Sequence, residues 1–132
     1  MLFQKQTIKG LIVIKPESFV DKRGLFRRTY CLNELKFKKI NFKIKQVNIS
    51  ENKNIQTLRG FHYQKYPFSE DKIIMCIQGE IHNIVLDMRQ KSKTFMKWQS
   101  FNLSEQNRLA LLVPKGCANA YLTLKKKTWN RY

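Results

Sequence analysis

The chain has 132 residues, enough for one hydrophobic core and too few for two, and 42% of them are hydrophobic, which excludes wholesale disorder. Lys and Arg number 26 against nine Asp and Glu, a net charge of +17 that points toward anionic ligands. The three cysteines, Cys31, Cys76 and Cys117, form no C-x-x-C pair and fit a reducing cytoplasm. No apolar run nears the ~18 residues that a membrane span needs, and the first residues lack the apolar core of a signal peptide, so no membrane is expected as a partner.

In chain order, short β-rich runs fall at 11–14, 45–49, 57–63, 73–78, 81–87, 98–103, 109–113 and 118–124. Turn residues punctuate them at Pro16, at 21–24, at Pro67, at Gly79-Glu80 and at 114–116. Many short strands at even spacing predict a sandwich or barrel, with a single helix expected over 32–38. Strand alternation puts positions 83, 85, 87 and 89 on one face, and 119, 121 and 123 on another. Asn83, Asp87, Asn119, Tyr121 and Thr123 are therefore expected to line a partly polar interior, which a ligand cavity requires.

The lysines are spread along the chain, so much of the charge reads as solvated surface. Lys36, Lys38, Lys39, Lys43 and Lys45 form the one local stripe, and it lacks any helix-turn-helix, zinc-finger or RNA-binding aromatic signature. Nucleic acid is not expected as a partner.

Five longer motifs occur in order: Asp21-Lys22-Arg23-Gly24-Leu25-Phe26, Gln46-Val47-Asn48-Ile49-Ser50, Leu58-Arg59-Gly60-Phe61-His62-Tyr63-Gln64, Val85-Leu86-Asp87-Met88-Arg89 and Pro114-Lys115-Gly116. The set resembles the dTDP-4-dehydrorhamnose 3,5-epimerase family, with its D-x-R-G-x-F, Q-x-N-x-S and L-R-G-x-H-Y-Q. It runs from about Gly10 to Tyr132. The resemblance implies an all-β, cupin-type double-stranded β-helix (a jelly-roll barrel) in a single domain over 1–132, incomplete at its C-terminal end. It also implies a nucleotide-diphosphate 4-keto-6-deoxy sugar as ligand, 3,5- or 3-epimerisation in surface polysaccharide synthesis, no cofactor, and a homodimer in which D-x-R-G-x-F comes from the neighbouring subunit.

Proton removal beside a ketone needs a base near neutral pKa, a cation for the developing enolate and an acid on the far face of the ring. By the resemblance His62 is the base, Lys72 the enolate stabiliser and Tyr132 the acid. Arg59, with Gln46 and Asn48, resembles the groups that hold the diphosphate and nucleoside, and Arg23, Phe26, Arg28 and Asn119 complete the expected substrate contacts. His82 lies on the face opposite Asn83 and reads as surface or interface. No metal is expected, because His62 has no histidine at H-x-H spacing and the cysteines have no ligand spacing.

The chain departs from the family in four places. The family's orienting Asp for the histidine falls in a segment beyond Tyr132, which leaves Asp87 or Glu80 as possible substitutes and implies reduced activity. Asn119 replaces a histidine, and Asn83 replaces an aspartate. Arg28 stands where a glutamate faces the base; arginine only donates, and guanine offers two acceptors, so a GDP-linked sugar competes with a dTDP-linked one. The alternatives are a degenerate, non-catalytic relative that binds a nucleotide sugar or an active homologue, a 3,4-ketoisomerase, and a basic nucleic-acid-binding module.

Overall fold

The computed structural model describes all of residues 1–132. In chain order its elements are β1 (Leu2–Lys5), β2 (Ile12–Lys15), β3 (Ser18–Asp21), β4 (Gly24–Arg27), α1 (Leu32–Phe37), β5 (Ile49–Asn52), β6 (Leu58–His62), β7 (Lys72–Gln78), β8 (Glu80–Asp87), β9 (Trp98–Ser104), β10 (Ala110–Val113), β11 (Cys117–Thr123) and β12 (Thr128–Arg131). A six-stranded sheet ordered β1-β2-β10-β7-β12-β5 faces a four-stranded sheet ordered β6-β11-β8-β9, and β3-β4 forms a separate hairpin. Every strand pair is antiparallel. This is the expected all-β, cupin-like sandwich.

Alternation drives the layering. Along β8 the residues Ile81, Asn83, Val85 and Asp87 are buried, and the residues between them are only half-buried. β7 is apolar on both faces. Ile74 and Cys76 join the interior cluster with Leu11, Val13, Val85 and Leu111. Met75 belongs to an outer layer with Ile12, Ile14, Ala110 and Leu112, against which Phe3, Ile40 and Phe42 pack. The outer face of the larger sheet is thus covered, a condition for its continuous apolar run.

The interior is divided. Between β2, β10 and β7 on one sheet and β8 and β9 on the other, it is filled by Leu11, Val13, Ile81, Val85, Leu103 and Leu111. Toward β5, β6, β11 and β12 it becomes polar, with Ser50, Asn52, Asn119, Thr123, Thr128 and Asn130 all buried.

Most predicted strands appear within a residue or two of their expected ends. One does not: the run at 45–49 is irregular, and β5 begins at Ile49, because Val47 and Ile49 are exposed and the buried alternation starts at Ser50 and Asn52. Strands β1, β3, β4 and β12 were not expected. The predicted turn at 21–24 is the tip of the β3-β4 hairpin, where Asp21 pairs with Gly24.

Candidate active site

Topology gathers one end of the sandwich. Val113 at the end of β10 pairs with Lys72 at the start of β7, and the 114–116 turn leads into β11, where Cys117 pairs with Asp87 at the end of β8. Asn119 pairs with His62, the last residue of β6. On the larger sheet, Tyr132 and Asn48 exchange both backbone hydrogen bonds, at 3.0 and 2.7 Å, which continues the β12-β5 pairing. By alternation Lys72 shares a face with Ile74 and Cys76, Tyr132 with Asn130, and Asn48 with Ser50, which are inward faces. His62, Lys72, Tyr132, Asn48 and Asn119 therefore stand at the same end of the sandwich.

A β-bulge sets the direction of two of the side chains. Arg59 opposes Tyr121 and His62 opposes Asn119, so three steps along β6 match two along β11. Directly opposed residues of an antiparallel pair point to the same face, so the extra residue brings Arg59 and His62 together on the inner face. Gly60 makes the bulge possible: its φ is 111°, and a Cβ there would lie 2.5 Å from the Asn119 carbonyl oxygen and 2.7 Å from Ala120 Cα.

Arg59 Nε donates to Asn52 Oδ1 at 2.9 Å, across the gap between the sheets. Its two terminal NH2 groups make no hydrogen bond within the chain, which leaves the fork open to a phosphate. Lys72 Nζ lies 2.9 Å from Glu70 Oε1, a partner that the sequence did not disclose. An ammonium has three donors, so this pairing leaves others for an enolate.

A cleft of about 580 Å³ opens between the 41–48 and 67–72 segments on the outer side of the larger sheet, where Phe42, Ile73 and Met75 line it, and Lys72, Tyr132, Gln46 and Asn48 border it as well. His62, Arg59 and Asn119 do not line this cleft. His62 is exposed at the end of β6 and makes no hydrogen bond within the chain. Arg23, Phe26 and Arg28 are not gathered with the others. Arg23 bonds Asp21 at 2.7 Å on the exposed hairpin, Phe26 is 69% exposed, and Arg28 Nη1 donates to Glu34 Oε1 at 2.9 Å.

The two carboxylates considered as substitutes for an orienting Asp are engaged elsewhere. Asp87 accepts from Arg89 Nε at 2.8 Å, Arg89 Nη2 at 2.9 Å, Ser92 Oγ at 2.6 Å and Thr94 Oγ1 at 2.6 Å. Burial pushes its carboxyl pKa up, but these donors outweigh burial and hold it well below the usual carboxylate range. Glu80 pairs with Lys125 at 3.7 Å, at the opposite end of β8 from Asp87. No three of the His, Cys, Asp and Glu side chains converge as metal ligands would.

The family model described as dTDP-4-dehydrorhamnose 3,5-epimerase matches residues 5–132. The dTDP-4-dehydrorhamnose 3,5-epimerase of Sinorhizobium fredii is 34% identical over 128 residues, which are 97% of this chain and 66% of that protein. The Shigella flexneri enzyme of the same name is 33% identical over 91% of this chain and 66% of its own. The chain thus spans just under two thirds of the length of these relatives. Among solved structures, the Bacillus anthracis epimerase with TDP and PPi bound superposes with a TM-score of 0.96 at 32% identity, over 98% of this chain and 74% of that one. The Legionella pneumophila epimerase in complex with dTDP-4-keto-L-rhamnose gives a TM-score of 0.91 at 27% identity, over 98% and 69%. With its ordered motifs, its facing sheets and this match along almost its entire length, the chain belongs to the dTDP-4-dehydrorhamnose 3,5-epimerase family.

Proposed function

We propose that the protein epimerises the sugar of a dTDP-linked 4-keto-6-deoxy sugar at C3, or at C3 and C5. His62 takes the proton from the carbon beside the C4 ketone, and the electron pair moves onto the ketone oxygen as an enolate. The Lys72 ammonium stabilises that charge. Tyr132 donates a proton to the opposite face of the same carbon, and solvent returns a proton to Tyr132 and removes one from His62. The sugar is isomerised with no change in oxidation level, so neither cofactor nor metal is needed for the balance.

The observation that carries this reading is the strand register that brings His62, Lys72 and Tyr132 to one end of the sandwich on inward-facing positions. The Arg59 fork suits the diphosphate, and Gln46 and Asn48 suit the nucleoside. The preference for thymine over guanine follows from Arg28, whose guanidinium is engaged by Glu34, and from the thymidine nucleotides carried by the similar structures.

A homodimer is part of the proposal. Phe19, Val20 and Phe26 of the hairpin are largely exposed, as are Leu58 and Phe61 on the edge strand β6. A second copy covering them would bring Arg23 and Phe26 to the site from the neighbouring subunit. The cytoplasm is the proposed compartment, in keeping with three free cysteines.

A second reading, a non-catalytic binder, is favoured by the neutral Asn83 and Asn119. Incubation with dTDP- and GDP-linked 4-keto-6-deoxy sugars in deuterated water, followed by NMR at C3 and C5, separates the two. Deuterium at C3 alone means one-centre epimerisation, and at both carbons two-centre epimerisation. Tight dTDP-sugar binding with no deuterium at either carbon supports the binder and overturns the epimerase.

A further inference from the structure

We propose that Asn119 is the positioning residue for His62. When the ring turns toward Asn119, the side-chain carbonyl oxygen accepts from the imidazole and selects one tautomer, and Asn83 locks Asn119 in the orientation that this requires. The proposal rests on His62 as the base of the epimerase reading.

Asn119 Nδ2 donates to Asn83 Oδ1 at 2.8 Å and to the Ile84 carbonyl oxygen at 3.0 Å. A backbone carbonyl only accepts, so the amide end facing Ile84 must be the NH2, and the orientation of Asn119 is not interchangeable. Both of its N–H groups are then engaged. Oδ1 is the polar atom left over; it has no partner within the chain and keeps contact with solvent, although the residue as a whole is 9% exposed.

The residue directly opposed to Asn119 across the β11-β6 pair is His62, on the same face. Opposed side chains in such a pair sit about 4.5 to 5.5 Å apart at Cβ, within reach of a hydrogen bond between an amide and a ring. The chain already builds this pair once. His82 on β8 directly opposes Asn102 on β9, and His82 Nδ1 donates to Asn102 Oδ1 at 2.7 Å. The His62-Asn119 pair has the same opposed placement at the open end of the sandwich, with the Asn119 Oδ1 and the His62 ring each without another partner in the chain and not bonded to one another.

Asn83 bears the cost. Because its Oδ1 accepts from Asn119, its Nδ2 is fully buried with no partner, an arrangement that a freely rotating amide would not choose. A ring that donates one N–H to Asn119 Oδ1 presents the other nitrogen, with its lone pair, to a substrate C–H. A carboxylate would select the same tautomer; the amide does so without adding a negative charge.

The test is long-range ¹H–¹⁵N NMR of the labelled protein, in which His82→Gln assigns the signals of the two histidines. The expected result is a single dominant neutral tautomer at His62 in the unmodified protein and a mixture in Asn119→Ala. Deuterium exchange should fall about 10-fold in kcat with little change in KM. Mixed tautomers at His62 in the unmodified protein overturn the proposal whether or not any variant folds. An unchanged tautomer in Asn119→Ala with exchange intact also overturns it and leaves the epimerase reading standing. A tautomer that depends on Asn119 in a protein showing no exchange retires the epimerase reading and keeps the pairing.

Discussion

Tyr121 on β11 and Ser50 on β5 meet across the interior, their hydroxyl oxygens 2.9 Å apart and both residues buried. This bond ties the two sheets together in the polar half, where few apolar contacts are available. Around it stand Asn83, opposed to Tyr121, and Asn130, opposed to Ser50.

Asn130 is fully buried, and neither its Oδ1 nor its Nδ2 has a partner. Leaving a buried amide unpaired costs about 1 to 3 kcal/mol. Asn130→Leu, of similar volume and without polar atoms, is expected to stabilise the chain by about 1 to 2 kcal/mol and to raise Tm by about 3 to 8 °C. Differential scanning calorimetry checks this, and a lower Tm would show that the amide is solvated in solution.

Asp87 anchors the 88–97 loop through Arg89, Ser92 and Thr94. Asp87→Asn removes the charge and is expected to cost about 3 kcal/mol in urea unfolding. The pH dependence follows from its lowered pKa. The stabilisation is complete above about pH 4, the range of an unfolded Asp, and is lost progressively as pH falls further toward the folded value. Asp87→Asn should therefore flatten the acid limb of the stability curve, and an unchanged limb would assign acid unfolding to other carboxylates.

Gly60→Ala is expected to displace β6 from β11, because the added Cβ meets backbone atoms of Asn119 and Ala120 that cannot rotate away. Stability should fall by about 2 kcal/mol or more. Deuterium exchange should fall further than the folded fraction alone explains, since His62 loses its register. Folded-fraction and exchange measurements on the same sample distinguish the two effects.

His62→Asn is expected to reduce deuterium incorporation by about 10²- to 10⁴-fold while leaving dTDP affinity within a few-fold, because His62 is not placed on the nucleotide. Exchange rates by NMR and affinity by calorimetry provide the check. Exchange that survives the substitution would mean that another group is the base.

The inner faces of β8 and β11 were legible in the sequence, because the two strands pair in an unbroken register: Asn83, Val85, Asp87, Asn119, Tyr121 and Thr123 are all buried as expected, and on β11 Ala118 and Ala120 of the other face are buried as well. The shared face of Arg59 and His62 was not, since three residues of separation imply opposite faces until a bulge is inserted, and the bulge depends on contacts with β11. Strand β12 follows Lys125-Lys126-Lys127 and is only four residues long, so local composition hid it. The motifs disclosed the candidate residues themselves. They did not disclose that Glu70 would hold Lys72 or that Glu34 would hold Arg28, because those partners are set by loop and helix geometry.

The split interior bears on how this chain tolerates change. The greasy half, centred on Leu11, Val13, Ile81, Leu103 and Leu111, reaches the ligand end only through its margin at Val85, Val113 and Tyr121, so much of the folding keel lies away from the chemistry. Substitutions can accumulate around Asn83, Asn119 and Asn130 at modest cost to the scaffold. That freedom lets a lineage retune its catalyst, or lose it, without first losing its shape.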